Sequence, residues 1–166
     1  VGNVYAVNAV TGELVWRDRP DDHPSLTLTA SPALHGDRLY VPLSSLEVTA
    51  AAAPGYACCT FRGGVAVYDA RSGEKLHISY TIAEKPAVVG KNAVGTDRIA
   101  PSGSPVWNTP ALDPARGVMY VGTGENYSSP ANDTSDAILA LSLADGAIVW
   151  SQQMTEGDAW NMGCET

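Results

Sequence analysis

Gly2-Asn3-Val4-Tyr5-Ala6-Val7-Asn8-Ala9-Val10-Thr11-Gly12-Glu13-Leu14-Val15-Trp16 is the stretch on which the fold turns, because the chain writes it twice more. It returns as Gly64-Val65-Ala66-Val67-Tyr68-Asp69-Ala70-Arg71-Ser72-Gly73-Glu74-Lys75-Leu76, with His77 at the Trp position. The third copy is Ala137-Ile138-Leu139-Ala140-Leu141-Ser142-Leu143-Ala144-Asp145-Gly146-Ala147-Ile148-Val149-Trp150. Each copy reads as an alternating strand, a tight turn closed by a glycine at positive φ, and a second strand with an aromatic after three residues. Further strand pairs precede the later copies: Leu26 to Leu34 with Arg38 to Leu43, and Val106 to Leu112 with Val118 to Val121. That gives about four strands per unit. The turn glycines Gly12, Gly73 and Gly146 lie 61 and 73 residues apart, longer than a bare blade of ~40–50 residues. The excess is read as loop, at Glu47 to Cys59 and at Glu84 to Gly103, and long loops on a repeated scaffold are where binding residues collect. Units of this kind, stacked face to face, make an all-β fold, a partial β-propeller with two to three four-stranded blades. A sandwich of about ten strands is the competing reading, but it gives no reason to repeat one turn three times.

The 166 residues carry 10 Lys and Arg against 18 Asp and Glu, a formal net charge of -8. This balance disfavours a phosphate backbone or an anionic membrane surface and all but excludes nucleic-acid binding. The longest apolar run, near Val48 to Ala53, falls well short of the roughly 18 residues of a spanning helix, so no membrane span is expected. The chain starts at Val1 on a strand pattern and stops at Cys164-Glu165-Thr166. Both ends therefore read as cut from something longer, and the lack of a leader says nothing about compartment. An open run of blades exposes apolar faces, so the piece alone is expected to be marginally stable or to aggregate.

The repeated turn, with its Thr-Gly and closing Trp, resembles the tryptophan-docking repeat of the eight-bladed quinoprotein propellers, the pyrroloquinoline quinone (PQQ) alcohol dehydrogenases. The resemblance covers the whole chain, and it implies that residues 1–166 are part of a single PQQ-type propeller domain, truncated at both ends. Cys58-Cys59-Thr60-Phe61-Arg62-Gly63, Gly122-Thr123-Gly124-Glu125-Asn126-Tyr127-Ser128 and Asp158-Ala159-Trp160-Asn161 look most like the polyvinyl-alcohol dehydrogenase branch.

Carried over by position, the resemblance implies that Ser44 and Ser45 contact PQQ, that Thr29 hydrogen-bonds it, and that Glu47 is a calcium ligand. Ca²⁺ takes several oxygens and would polarise a quinone carbonyl as a Lewis acid. Trp107, in Gly103-Ser104-Pro105-Val106-Trp107, matches a Trp that lies flat under the cofactor. Pro105 stands where relatives often carry a hydroxyl. In Gly122-Thr123-Gly124-Glu125-Asn126 either Glu125 ligates calcium, at the place of a family Asn, or Asn126 does. The adjacent Cys58 and Cys59 are by themselves two small buried thiols, but the family often carries a disulfide between neighbouring cysteines facing the cofactor, and the resemblance implies one here, with Cys164 the alternative partner. No Cys-x-x-Cys-His or paired Cys-x-x-Cys occurs, so no haem c or zinc site lies within this stretch.

The family base, an Asp directly after a Trp, is replaced by Asn161, which can ligate calcium but cannot accept a proton at a useful rate. Asp158 is then the expected base; Glu125 or a residue beyond Thr166 is the alternative. The implied activity is PQQ- and Ca²⁺-dependent oxidation of an alcohol, polyvinyl alcohol or a similar one, with electrons passed to a cytochrome c or similar acceptor in the periplasm. A non-catalytic propeller scaffold for outer-membrane assembly is the rival; it needs the repeats but not Trp107, Glu47 and the Asp158 loop together.

Overall fold

The three copies of the turn fold alike in the computed structural model, which describes residues 2–163. The first hairpin is β1 (Val4–Val7) and β2 (Leu14–Asp18). Next comes a sheet of β3 (Leu26–Thr27), β4 (Ala33–His35), β5 (Arg38–Ser45), β6 (Gly64–Asp69) and β7 (Lys75–Tyr80), with one helical turn, α1 (Glu47–Ala50), between β5 and β6. A separate hairpin of β8 (Ala87–Lys91) and β9 (Asp97–Ala100) precedes the second blade, β10 (Ala111–Asp113), β11 (Val118–Gly122), β12 (Ala137–Ser142) and β13 (Ile148–Gln153). Strands β5, β6 and β7 pair in sequence order, as do β10 to β13, while β3 and β4 both lie along β5. These are two propeller blades, one of five strands because β3 and β4 share the edge of β5 and one of four, together with a hairpin of a neighbour.

The repeated residues explain the repeated geometry. A polar residue opens each turn: Asn8 Oδ1 accepts from the amides of Val10 and Thr11, Asp69 Oδ1 from Arg71 and Ser72, and Ser142 Oγ from Ala144. Gly12, Gly73 and Gly146 close it at φ of 74°, 77° and 75°, left-handed values that cost a side-chain-bearing residue free energy. Each copy also carries a β-bulge at one position, between Ala6 and Val7, Val67 and Tyr68, and Ala140 and Leu141.

Successive units lock through the aromatic of one and the turn of the next. The Trp16 indole stacks on Tyr68 at 5.8 Å, donates from Nε1 to Ala70 O at 3.0 Å, and covers Gly73, where a Cβ would lie 2.6 Å from the ring. One unit on, His77 covers Gly146, whose Cβ would lie 2.9 Å from Nε2. The carbonyl equivalent to Ala70 O, that of Leu143, accepts from Arg38 Nη1 at 2.6 Å instead. Both faces of β5 and β6 are buried. Tyr40, Val65 and Val67 pack on Val106, Met119, Val121 and Leu139 of the second blade, while Val41, Leu43, Ala66 and Tyr68 pack on Val4, Leu26 and Phe61. Burial on both faces with strands alternating between two cores suits a blade rather than a two-layer sandwich.

Three expectations change. The stretch from Glu84 to Gly103 is not strandless: it holds the β8–β9 hairpin, turned at Asn92, whose Oδ1 accepts from the amides of Val94 and Thr96. Most of β8 is exposed, so nothing imposes the alternation by which a half-buried strand is recognised. The Glu47 to Cys59 loop opens with the α1 turn rather than running irregularly. The strands read over Leu26 to Leu34 and Val106 to Leu112 are shorter, since β4 starts only after Pro32 and β10 only after Pro110, residues with no N–H for the ladder.

Candidate active site

The hairpin turns β4–β5, β6–β7, β10–β11 and β12–β13 lie at one end of the blades, so the β5–β6, β7–β10 and β11–β12 connections and the segment after β13 emerge at the other. Isolated bridges lace these segments together: Cys58 to Arg98, Arg62 to Gly103, Gly103 to Asn126, Val106 to Thr123 and Asn126 to Ala159. Gly103, at φ 97°, must be glycine, because a Cβ there would lie 2.7 Å from Glu125 O. The candidate residues from five distant stretches thus share one end of the fold.

Trp107 is 40% exposed on a connection anchored by Ser104 N to Glu125 O and Gly124 N to Pro105 O. Its Nε1 edge sits where a Cβ on Gly124 would be, 2.7 Å away, so the glycine reserves the ring's place. Cys58 and Cys59 are joined by a disulfide; Cys164 lies outside the described residues. Main-chain bonds from Cys59 N to Ile99 O (3.0 Å) and from Ile99 N to Cys58 O (2.6 Å) hold the pair against β9. Thr29 is exposed, and its hydroxyl meets that of Ser44 at 3.0 Å. Ser44 and Ser45 themselves are fully buried, Ser44 donating to Thr27 O and Ser45 Oγ accepting from Glu47 N.

Glu47 is 0% exposed. Its oxygens accept from Tyr56 OH (3.0 Å), Thr60 N (2.9 Å) and Phe61 N (2.8 Å), with His23 Nε2 at 3.5 Å. Burial works to raise its pKa, but His23 and the two amides outweigh burial and leave the carboxyl below its ordinary value. The same arrangement pushes Tyr56 up to about 12, through burial first and the Glu47 charge second.

Glu125 and Asp158 are the opposite case. Burial, then the charges of Asp158 and Asp136, raises Glu125; burial, then Asp136, raises Asp158. The amides are pinned. Asn126 Nδ2 donates to Ser102 O in a buried contact, and its Oδ1 accepts from Asn132 N in a partly buried one. Asn161, 2% exposed, donates from Nδ2 to Tyr127 O at 2.7 Å and accepts at Oδ1 from Gly163 N at 2.8 Å.

A flat cofactor fits this end: the half-open indole and the glycine beneath its edge form a prepared surface. A ready-made calcium cage around Glu47 does not fit, because protein donors already occupy that carboxylate. Among the described residues no group of three or more His, Cys, Asp or Glu is arranged to hold a metal ion. The sequence reading missed Arg98, which lines a cavity of about 60 Å³ with Cys58, Tyr56 and Asn161 and whose buried Nε has no acceptor. It also missed Tyr56 and His23; no local motif marks either, and only the fold brings them to Glu47.

Residues 21–166 match the family model for the PQQ glucose/ethanol/alcohol dehydrogenase β-propeller domain. Polyvinylalcohol dehydrogenases from a Pseudomonas sp and from Sphingopyxis sp. (strain 113P3) are each 36% identical over 96% of the chain, which spans 25% and 24% of their lengths. The solved quinohemoprotein alcohol dehydrogenase ADHIIG from Pseudomonas putida HK5 superposes on 96% of the chain with a TM-score of 0.70 at 22% identity, and the chain covers 25% of it. The chain spans about a quarter of the length of these relatives. By its repeated turn, its blades and this match, the chain belongs to the family of PQQ-type glucose, ethanol and alcohol dehydrogenase β-propellers.

Proposed function

We propose that this chain is part of a single propeller domain of a periplasmic PQQ-linked alcohol dehydrogenase acting on polyvinyl alcohol or a similar alcohol. The observation that carries the reading is the open Trp107 face seated on Gly124 at the end where the disulfide and the Asp158 loop also lie. Bound PQQ supplies a two-electron acceptor for the hydride of the alcohol carbon, with a cytochrome c or similar protein as the next acceptor. Trp107 offers the stacking surface, the exposed Thr29 is held by the buried Ser44 beside Ser45, and the Cys58–Cys59 turn is assigned to face the cofactor. Arg98 places a cation beside Cys58, suited to an anionic cofactor.

Asp158 takes the hydroxyl proton, since its raised pKa brings it nearer to working pH. Asn161 cannot do so; its amide ties the loop to Tyr127 O. Calcium is assigned to Glu125, Asn126 and Asn161, whose carboxylate and amide oxygens are the hard donors that the ion takes. Glu47 is not counted among its ligands.

The experiment uses the complete protein. Addition of PQQ and Ca²⁺ is expected to give a quinone absorbance band and alcohol-dependent dye reduction, while Gly124→Ala, which forces Trp107 to move, weakens PQQ binding about tenfold or more. Absence of any quinone band in the wild type supports the scaffold reading instead.

A further inference from the structure

The family resemblance makes Glu47 a metal ligand, yet its surroundings give it another task. A carboxylate at zero exposure stays charged only where donors surround it, and here they all come from one loop and the His23 ring that packs edge-on to Phe61. Tyr56 stands two residues before Cys58; Thr60 and Phe61 directly follow Cys59. Oε1 takes Tyr56 OH at 3.0 Å, Thr60 N at 2.9 Å and Thr60 Oγ1 at 3.3 Å, and Oε2 takes Phe61 N at 2.8 Å and Thr60 N at 3.1 Å. His23 donates from Nε2, because its Nδ1 accepts from Ser25 N; that Nε2 lies 3.0 Å from Thr60 Oγ1 and 3.5 Å from Oε1. A carboxylate has about four lone-pair sites, so a cation at ~2.3–2.6 Å from Oε2 would have to displace main-chain amides that cannot turn away without unwinding the loop, and one on Oε1 would have to displace the hydroxyls of Tyr56 and Thr60.

We propose that Glu47 is a positioning residue that holds the Cys58–Cys59 turn from both sides, through Tyr56 on one and the amides of Thr60 and Phe61 on the other, and that it is not a metal ligand. This goes beyond the oxidoreductase reading, because it concerns how the disulfide is held whether or not a quinone binds.

Two variants of the complete protein test it. Glu47→Gln replaces one acceptor oxygen by an NH2 group facing the amides, whereas Tyr56→Phe removes one donor and leaves the carboxylate intact. Native-state hydrogen exchange reads the peptide containing Thr60 and Phe61. Reduction by dithiothreitol, trapped by alkylation, reads the disulfide, and titration of calcium chloride into chelator-treated protein reads the metal. Glu47→Gln is expected to speed both exchange and reduction by about tenfold or more, and Tyr56→Phe by about threefold, as lost hydrogen bonds of this kind imply. Calcium affinity stays within about twofold of wild type in both, the scatter expected for a group that donates nothing to the ion. A tenfold loss of calcium affinity in Glu47→Gln overturns the proposal whatever the loop does, and so do unchanged exchange and reduction rates. Should Glu47→Gln not fold, Tyr56→Phe decides alone: faster reduction at unchanged calcium affinity supports the role, and an unchanged rate overturns it. None of these readouts uses bound quinone or turnover, so this proposal and the oxidoreductase reading fail separately.

Discussion

Glu125 and Asp158 sit in a partly dry setting, and each is held above its ordinary pKa chiefly by burial, with the charges of Asp158 and Asp136 adding to it at Glu125 and that of Asp136 at Asp158. A group with a raised folded pKa contributes stability below its unfolded value and loses it as pH rises through the folded one. At neutral pH both charges therefore work against the fold. In the complete protein, Asp158→Asn is expected to cut turnover by about 10²–10⁴-fold while PQQ stays bound, the loss typical of a general base. The same change, and Glu125→Gln, should leave thermal stability at pH 7 equal or slightly higher, by less than about 1 kcal/mol given partial exposure. Turnover in the wild type falls as pH drops through the raised Asp158 pKa, because only the carboxylate accepts a proton. Steady-state rates across pH and a thermal melt check both signs; near-normal turnover in Asp158→Asn moves the base to Glu125 or to a residue beyond Thr166.

Among the elements, the repeated turn separates backbone cost from packing cost. Gly12 and Gly73 share the left-handed φ, 74° and 77°, but a Cβ at Gly12 meets nothing within 4 Å while one at Gly73 meets the Trp16 ring at 2.6 Å. Gly12→Ala is expected to cost about 1–2 kcal/mol, and Gly73→Ala about 1–3 kcal/mol more, measured by denaturant unfolding. His77 makes a second test. Burial, then the Arg38 charge, lowers its pKa, so the folded protein resists protonating it and stability falls as pH drops from the unfolded value of about 6.5 towards the folded one. His77→Trp should remove that acid sensitivity between about pH 5 and 7, the histidine range, and Arg38→Ala should matter less in its presence, because the indole can donate to Leu143 O as Trp16 does to Ala70 O. Melting midpoints of the two single variants and the double variant check this coupling. The repeat was legible because the turn polar residue, the glycine and the aromatic act within a few residues of each other. The β8–β9 hairpin was not, having no buried face to impose a period, nor were the donors around Glu47, which lie 9 to 24 residues away and are gathered only by the fold. The late starts of β4 and β10 are written in the parallel Pro32-Ala33-Leu34 and Pro110-Ala111-Leu112, a second, shorter repeat.

Across the chain, a net charge of -8 would, in the enzyme proposed above, favour the approach of a basic electron acceptor. A basic acceptor is steered towards it, so its reduction rate in alcohol-driven stopped-flow experiments should fall as salt rises from about 10 to 300 mM, where screening shortens to under ~10 Å. A rate independent of salt would place the acceptor away from this acidic quarter. Among the described residues no helix is long and apolar enough to cross a membrane. The docking contacts also have a direction: Trp16 meets Gly73 and His77 meets Gly146, always forwards in the chain, across 57 and 69 residues. During synthesis at ~5–20 residues per second, each ring therefore waits about 3 to 14 seconds for its seat to leave the ribosome. The latch is made before the catch. Trp16 and His77 each emerge before the turn that covers them, so a pause in synthesis between these units leaves an unseated ring open to chaperones.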